Sequence, residues 1–138
     1  MAATTPQPYA GVFPIAPTPF TAGGEVDYDG QRRVLDCMVD QGVDGICILA
    51  NYSEQFLLTD AERDALTDLC LSHVADRVPV IVTVSHFSTG IAAARAREAA
   101  AAGARMLMLM PPYHGATLRA DEKGTLEHFA RVADAAGV

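Results

Sequence analysis

The chain has 138 residues, with 10 basic against 17 acidic side chains, a net charge of −7 and a pI near 4.8. Ten dispersed cations do not make the basic face that a nucleic-acid binder needs to neutralise phosphates. Half of the residues are hydrophobic, enough for a core and too many for a disordered chain, yet no apolar run approaches the roughly 20 residues of a membrane span.

In chain order, Val12-Phe13-Pro14-Ile15-Ala16-Pro17 is a short apolar run read as a first strand, its prolines suiting strand ends better than a strand's middle. After a turn at residues 21–25, Asp27 offers an N-cap, and Val34, Leu35, Met38 and Val39 recur at helical spacing until Gly42. Ile46-Cys47-Ile48-Leu49 reads as a buried second strand. Thr59-Asp60-Ala61-Glu62 is a capping box that opens a helix through Leu66, Leu69, Cys70 and Val74. The third strand is Val78 to Val84, after which Ser88 or Thr89 caps an alanine-rich helix running to Gly103. Met106 to Met110 is the fourth strand, and Asp121 to Ala136 is a fourth helix, ended by Gly137.

Strand starts near Val12, Ile46, Val80 and Met106 give steps of about 34, 34 and 26 residues. The strands are continuously apolar rather than alternating, as in parallel sheets covered on both faces. Strict alternation of strand and helix predicts an α/β fold, either a doubly wound open sheet or part of a (β/α)8 barrel. The last residues, Ala135-Ala136-Gly137-Val138, read as a helix cap and the start of a fifth strand. Since a whole barrel takes about 250 residues, the chain is read as the N-terminal half, about four βα units. Residues 1–138 then form one partial barrel domain, truncated before strand 5.

Parallel α/β folds bind ligands at the carboxyl ends of their strands. There the sequence places Thr18, then Asn51-Tyr52-Ser53-Glu54-Gln55, then Ser85-His86-Phe87-Ser88, then Tyr113-His114. These supply hydrogen-bond donors and proton carriers. Taken singly, Asn51 and Ser53 equally suit a turn, and Glu54 suits a structural partner of a backbone amide or an arginine. His86 and His114 lack a third ligand at metal spacing, so no metal is expected. His73 and His128 read as surface or packing residues within helices. Met106, Met108 and Met110 read as core. No nucleotide-binding glycine motif is present. The single lysine, Lys123, lies in the first turn of the fourth helix and reads as solvated.

Gly11 to Phe20 followed by Gly24-Glu25-Val26-Asp27, then Gly42-Val43-Asp44-Gly45, Leu58-Thr59-Asp60-Ala61-Glu62-Arg63, Arg77 to Ile81, and Gly103-Ala104 through Pro111-Pro112-Tyr113 together resemble the dihydrodipicolinate synthase/N-acetylneuraminate lyase superfamily. The resemblance covers nearly the whole chain. Where that family reads Gly-Thr-Thr-Gly-Glu, this chain reads Ala50-Asn51-Tyr52-Ser53-Glu54. This departure, with Ser85-His86-Phe87-Ser88-Thr89 and Met110 to Thr117, is most similar to the 2-keto-3-deoxy-L-arabonate dehydratase branch.

The resemblance implies Schiff-base chemistry on a lysine of strand 6, with a relay tyrosine after strand 5; neither region is in this sequence. It implies that Asn51, Tyr52 and Ser53, with His86, bind the substrate, and that Tyr113 and His114 serve a proton relay or shape the site. The product would be 2,5-dioxopentanoate, with no cofactor. Partners implied are a small 2-keto-3-deoxy sugar acid and, for the full-length parent, further copies of itself, with no nucleic acid and no membrane. The alternatives are a pyruvate-dependent aldolase or synthase of the same superfamily and a non-catalytic half-barrel binding module. The 138 residues alone are expected not to turn over substrate. Three cysteines without a CxxC pair and an N-terminus without a basic or apolar leader predict a cytoplasmic protein.

Overall fold

The computed structural model describes residues 9–114 and 118–137, and at residues 113, 114, 118 and 119 the backbone only. Four helices begin where short polar side chains can satisfy their first amides. In α1 (Tyr28–Asp40) the Asp27 carboxylate accepts from the Gly30 N–H at 2.8 Å. In α2 (Asp60–Val74) the capping is reciprocal: Thr59 Oγ1 accepts from the Glu62 N–H at 3.3 Å, and Glu62 Oε2 accepts from the Thr59 N–H at 2.8 Å. Ser88 caps α3 (Thr89–Ala101), and Asp121 caps α4 (Glu122–Ala136), which ends on Gly137 in the left-handed conformation. Each such cap is worth about 1 kcal/mol.

Between the helices lie three parallel strands, β1 (Ile46–Ile48), β2 (Val80–Thr83) and β3 (Met106–Met108), in that spatial order. Ile46 pairs with Val80, and Ile81 with Met106. Successive strand residues face opposite sides, and one parity of each strand faces the helices. Ile46, Ile48, Val80, Val82 and Val84 join Leu35, Leu66, Cys70, Val74, Ala92, Ala96 and Val132 in one core, against which Leu107 and Leu109 pack. Met106, Met108 and Met110 alternate with those leucines and are half-buried, turned away from the helical core. The core thus lies between the sheet and its helices, and the methionines belong to the sheet's other face. At the entrance to β1, Gly45 is required by packing, because a Cβ there would run into the Phe13 ring.

The expected first strand is reduced to a parallel bridge between Ile15 and Cys47. The Ala16 N–H donates to the Cys47 carbonyl at 2.8 Å, and the Cys47 N–H to the Pro14 carbonyl at 2.9 Å. Upstream, Pro14 has no N–H to extend this ladder, and downstream Leu49 turns into the left-handed conformation (φ 57°) and leaves it, which is the physical reason the strand stops at one bridge. Two elements were not legible in the apolar pattern: a 3-10 turn at Asn51–Ser53, and a short antiparallel pair of β4 (Tyr113–His114) and β5 (Leu118–Arg119). The start of a fifth strand at Val138 falls outside the described residues.

Two of the histidines read as surface or packing residues fasten helices. His73 Nε2 lies 2.9 Å from Asp36 Oδ1, and Arg77 donates to the same oxygen at 2.9 Å, tying α1 to the end of α2. The arginine, foremost, holds the Asp36 carboxyl below the usual carboxylate range. His128 is buried, and its Nδ1 lies 3.0 Å from Thr89 Oγ1, joining α4 to the first residue of α3. Burial lowers its pKa.

Candidate active site

At the end of β1 the chain turns sharply. Leu49 (φ 57°) and Glu54 (φ 56°) both adopt the left-handed conformation, uncommon and mildly strained for residues other than glycine. The segment between them is held from below by Ser53. Its hydroxyl donates to the Ala16 carbonyl at 2.7 Å and accepts from the Ala50 N–H at 3.2 Å, while Thr18 Oγ1 donates to the Ser53 carbonyl at 2.8 Å. Ser53 is 1% exposed. Its side chain therefore positions the loop, with its hydroxyl proton directed to the Ala16 carbonyl. Asn51 and Tyr52, by contrast, stand on the surface of the same turn, Tyr52 at 80% exposure.

The loop is also tied sideways. Gln55 is buried, and its Nε2 donates to Asn51 Oδ1 at 2.9 Å. Its carbonyl accepts from the Arg63 guanidinium at 3.4 Å, and the same guanidinium donates to the Thr83 carbonyl, at the end of β2, at 2.8 Å. Burial pushes the Arg63 pKa down to about 10, which leaves it charged at neutral pH. Glu54 takes neither structural role expected of it: its side chain is exposed and bonds to no backbone amide and no arginine among the described residues, and Arg63 serves backbone oxygens instead.

After β2, Ser85 Oγ accepts from the Met110 N–H at 2.9 Å and so links the ends of β2 and β3. The Ser85 carbonyl accepts from Arg95, whose other guanidinium nitrogen donates to Asp60 Oδ1 at 2.8 Å. His86 is half-buried and its Nδ1 accepts from the Ser88 N–H at 2.9 Å, which leaves the ring proton on Nε2. Burial first, and then the Arg95 charge, lower its pKa, so His86 is a neutral Nε2–H donor near neutral pH. Beside it, the Phe56 and Phe87 rings stack at 5.7 Å. A cavity of about 10 Å³, room for roughly one water, lies among Gln55, Phe56, Ser85, His86, Phe87, Met110 and Pro111.

The strand ends thus supply Asn51, Tyr52 and His86 as polar groups on one rim, with Ser53 beneath them. The side chains of Tyr113 and His114 lie outside the described residues; their backbone forms the β4 strand that follows this rim. Lys123 is exposed on the first turn of α4, 3.8 Å from Glu127, as expected of a solvated lysine. Among the described residues, no three His, Cys, Asp or Glu side chains are grouped to hold a metal, and no helix is long and apolar enough to cross a membrane. Larger hollows of about 760 and 310 Å³ lie elsewhere, the first where helices end and strands begin, the second between α2 and α3.

From the sequence, Gln55 has only a place in the polar loop after the second strand and Arg63 only a place in a family motif, with no role for either, and nothing points to Arg95. A signal existed for Arg63. It falls on the stripe of Leu66, Thr67, Cys70 and Val74, a cation on the buried face of a helix.

A sequence profile of the Dihydrodipicolinate synthetase family matches residues 8–138. The L-2-keto-3-deoxyarabonate dehydratase of Azospirillum brasilense is 55% identical over 98% of this chain and 43% of its own length. The 4-hydroxy-tetrahydrodipicolinate synthase of Acidothermus cellulolyticus is 36% identical over 96% of this chain and 42% of its own. Among solved structures, a prophage protein of the dihydrodipicolinic acid synthase family from E. coli K12, in complex with pyruvate, superposes with a TM-score of 0.89 at 28% identity, over 96% of this chain and 43% of that one. The chain therefore spans about two-fifths of the length of the relatives it matches. On this match of sequence and fold, the chain belongs to the dihydrodipicolinate synthetase family.

Proposed function

We propose that this chain is the N-terminal half of a (β/α)8 barrel whose full-length parent is a Schiff-base hydro-lyase. It dehydrates 2-keto-3-deoxy-L-arabonate to 2,5-dioxopentanoate. One observation carries the reading: the turn after β1, with Asn51 and Tyr52 raised on a buried Ser53, in a chain 55% identical to a dehydratase named for that substrate. The half-barrel is supported by the share of the relatives' length covered and by the half-buried methionine face of the sheet, which a second half would cover.

In this mechanism a lysine beyond Val138 condenses with the substrate's C2 ketone, releasing water and leaving an iminium that acidifies C3–H. Loss of the C3 proton gives an enamine. The enamine expels the C4 hydroxyl, which leaves as water after taking up a proton. Tautomerisation and hydrolysis then release the semialdehyde and the free lysine. The chain's own residues orient the substrate: the Asn51 amide and Tyr52 hydroxyl pair with its carboxylate, and the His86 Nε2–H supplies a neutral donor beside them. Tyr113 and His114 carry or shape the proton path to the leaving hydroxyl.

The apolar group of Phe56, Leu57, Phe87 and Ile91, each between 37% and 74% exposed, supports a parent built from several copies of itself. Three free cysteines support a cytoplasmic location.

Borohydride trapping with 2-keto-3-deoxy-L-arabonate and with pyruvate, on the parent and on the 138 residues, is the test. The expected result is a substrate adduct on the parent alone, together with semialdehyde formation. An adduct on this chain, which could form only at Lys123 or the N-terminal amine, overturns the assignment of the site. Aldol cleavage or condensation in place of semialdehyde overturns the dehydratase reading in favour of the synthase alternative, and no adduct on either protein favours a binding module.

A further inference from the structure

We infer that Gln55 is a positioning residue of this site, fixing which end of the Asn51 amide is offered to a ligand. The inference rests on the reading that Asn51 pairs with the substrate's carboxylate.

Gln55 is 3% exposed while Asn51, four residues earlier, is exposed. The single side-chain bond between them runs from Gln55 Nε2 to Asn51 Oδ1 at 2.9 Å. Gln55 Oε1 is buried without a partner among the described residues. Exchanging the two ends of both amides would instead bury the Gln55 NH2 group unpaired, and orphaned buried N–H groups are rarer than orphaned carbonyls. The observed orientation is therefore the favoured one, and it occupies the Asn51 carbonyl. What Asn51 turns outward is its Nδ2 group, two donors suited to a carboxylate and unsuited to a cation.

Gln55 can impose this because its own backbone is anchored. Arg63 bridges the Gln55 and Thr83 carbonyls, so the orientation of Asn51 is set from the end of β2 through a buried guanidinium. Asn51 itself has no other side-chain partner among the described residues, so the bond from Gln55 decides its rotamer.

The test is a double-mutant cycle on the full-length parent, with pyruvate as the probe and affinity read by calorimetry, so that no turnover is required. Gln55→Met keeps length and burial but removes the donor. It is expected to weaken pyruvate roughly fivefold, the order of one neutral hydrogen bond. In an Asn51→Ala background the same substitution should change affinity less than about twofold, because the effect passes through Asn51. Equal losses in both backgrounds, or no loss in either, overturn the inference. A wild-type parent that binds pyruvate but forms no semialdehyde sinks the dehydratase reading while the cycle still decides the role of Gln55. A parent that binds no pyruvate overturns both.

Discussion

The two ends of the parallel sheet are held together by different means. At the carboxyl end, buried side chains bond to backbone groups far away in sequence: Ser53 to Ala16, Arg63 to Thr83, Ser85 to Met110. At the amino end the polar fastenings are exposed or half-exposed side-chain pairs, such as Asp36 with Arg77 and His73, and Arg105 with Asp76 at 3.7 Å. A buried bond to a carbonyl cannot be replaced by water when it is lost, whereas an exposed ion pair can be. The end that carries the candidate site is thus the one whose geometry is fixed by bonds that solvent cannot substitute.

That contrast can be broken by substitution. Arg63→Ala leaves two carbonyls, of Gln55 and Thr83, without their donor and is expected to cost about 3 kcal/mol, read as a lower urea midpoint. Arg63→Lys should recover little of it, since one ammonium does not reproduce the fork that spans both oxygens. Ser53→Ala removes a buried hydroxyl with two partners and is expected to cost about 2 kcal/mol. A loss below about 0.5 kcal/mol for either would erase the distinction between the two ends.

At the amino end the expected effects are smaller and depend on solution conditions. The Asp36 carboxyl has a folded pKa below its unfolded one, chiefly because of the Arg77 hydrogen bond. Its contribution to stability is present above the unfolded pKa, near 4, and is lost as pH falls through the lower folded value. Asp36→Asn should therefore flatten the acid limb of a stability-versus-pH curve while changing its shape little above neutrality. An unchanged acid limb would show that the pair contributes nothing. Smallest of all, Arg105→Ala should shift stability by less than about 0.5 kcal/mol, and by less still in high salt.

Asp27 and Thr59 could be read as helix caps from the sequence, the third cap was narrowed to Ser88 or Thr89, and the fourth helix was placed to within one residue with Asp121 counted inside it, because a cap is a local bond between a side chain and an amide three residues on. The strands at Ile46, Val80 and Met106 were equally plain, since continuous apolar runs mark parallel strands. In the site, Asn51, Tyr52 and His86 were legible as polar residues just past strand ends. The burial of Ser53 was not, because its partners lie 37 and 3 residues away and only the first of these depends on the fold.

What the sequence determined by itself was therefore everything that local spacing controls: helix caps, strand placement, the α/β class and the family's motifs in their order. Only the tertiary structure decided that the first strand would shrink to a bridge, that the Ser53 hydroxyl would be buried against the Ala16 carbonyl, and that Gln55 would bond to Asn51 and Arg63 to Thr83 beneath the turn. The physical reason is the range of the bonds. A cap or an apolar period is satisfied within one turn or one strand, whereas a buried donor finds its acceptor only after distant segments have packed.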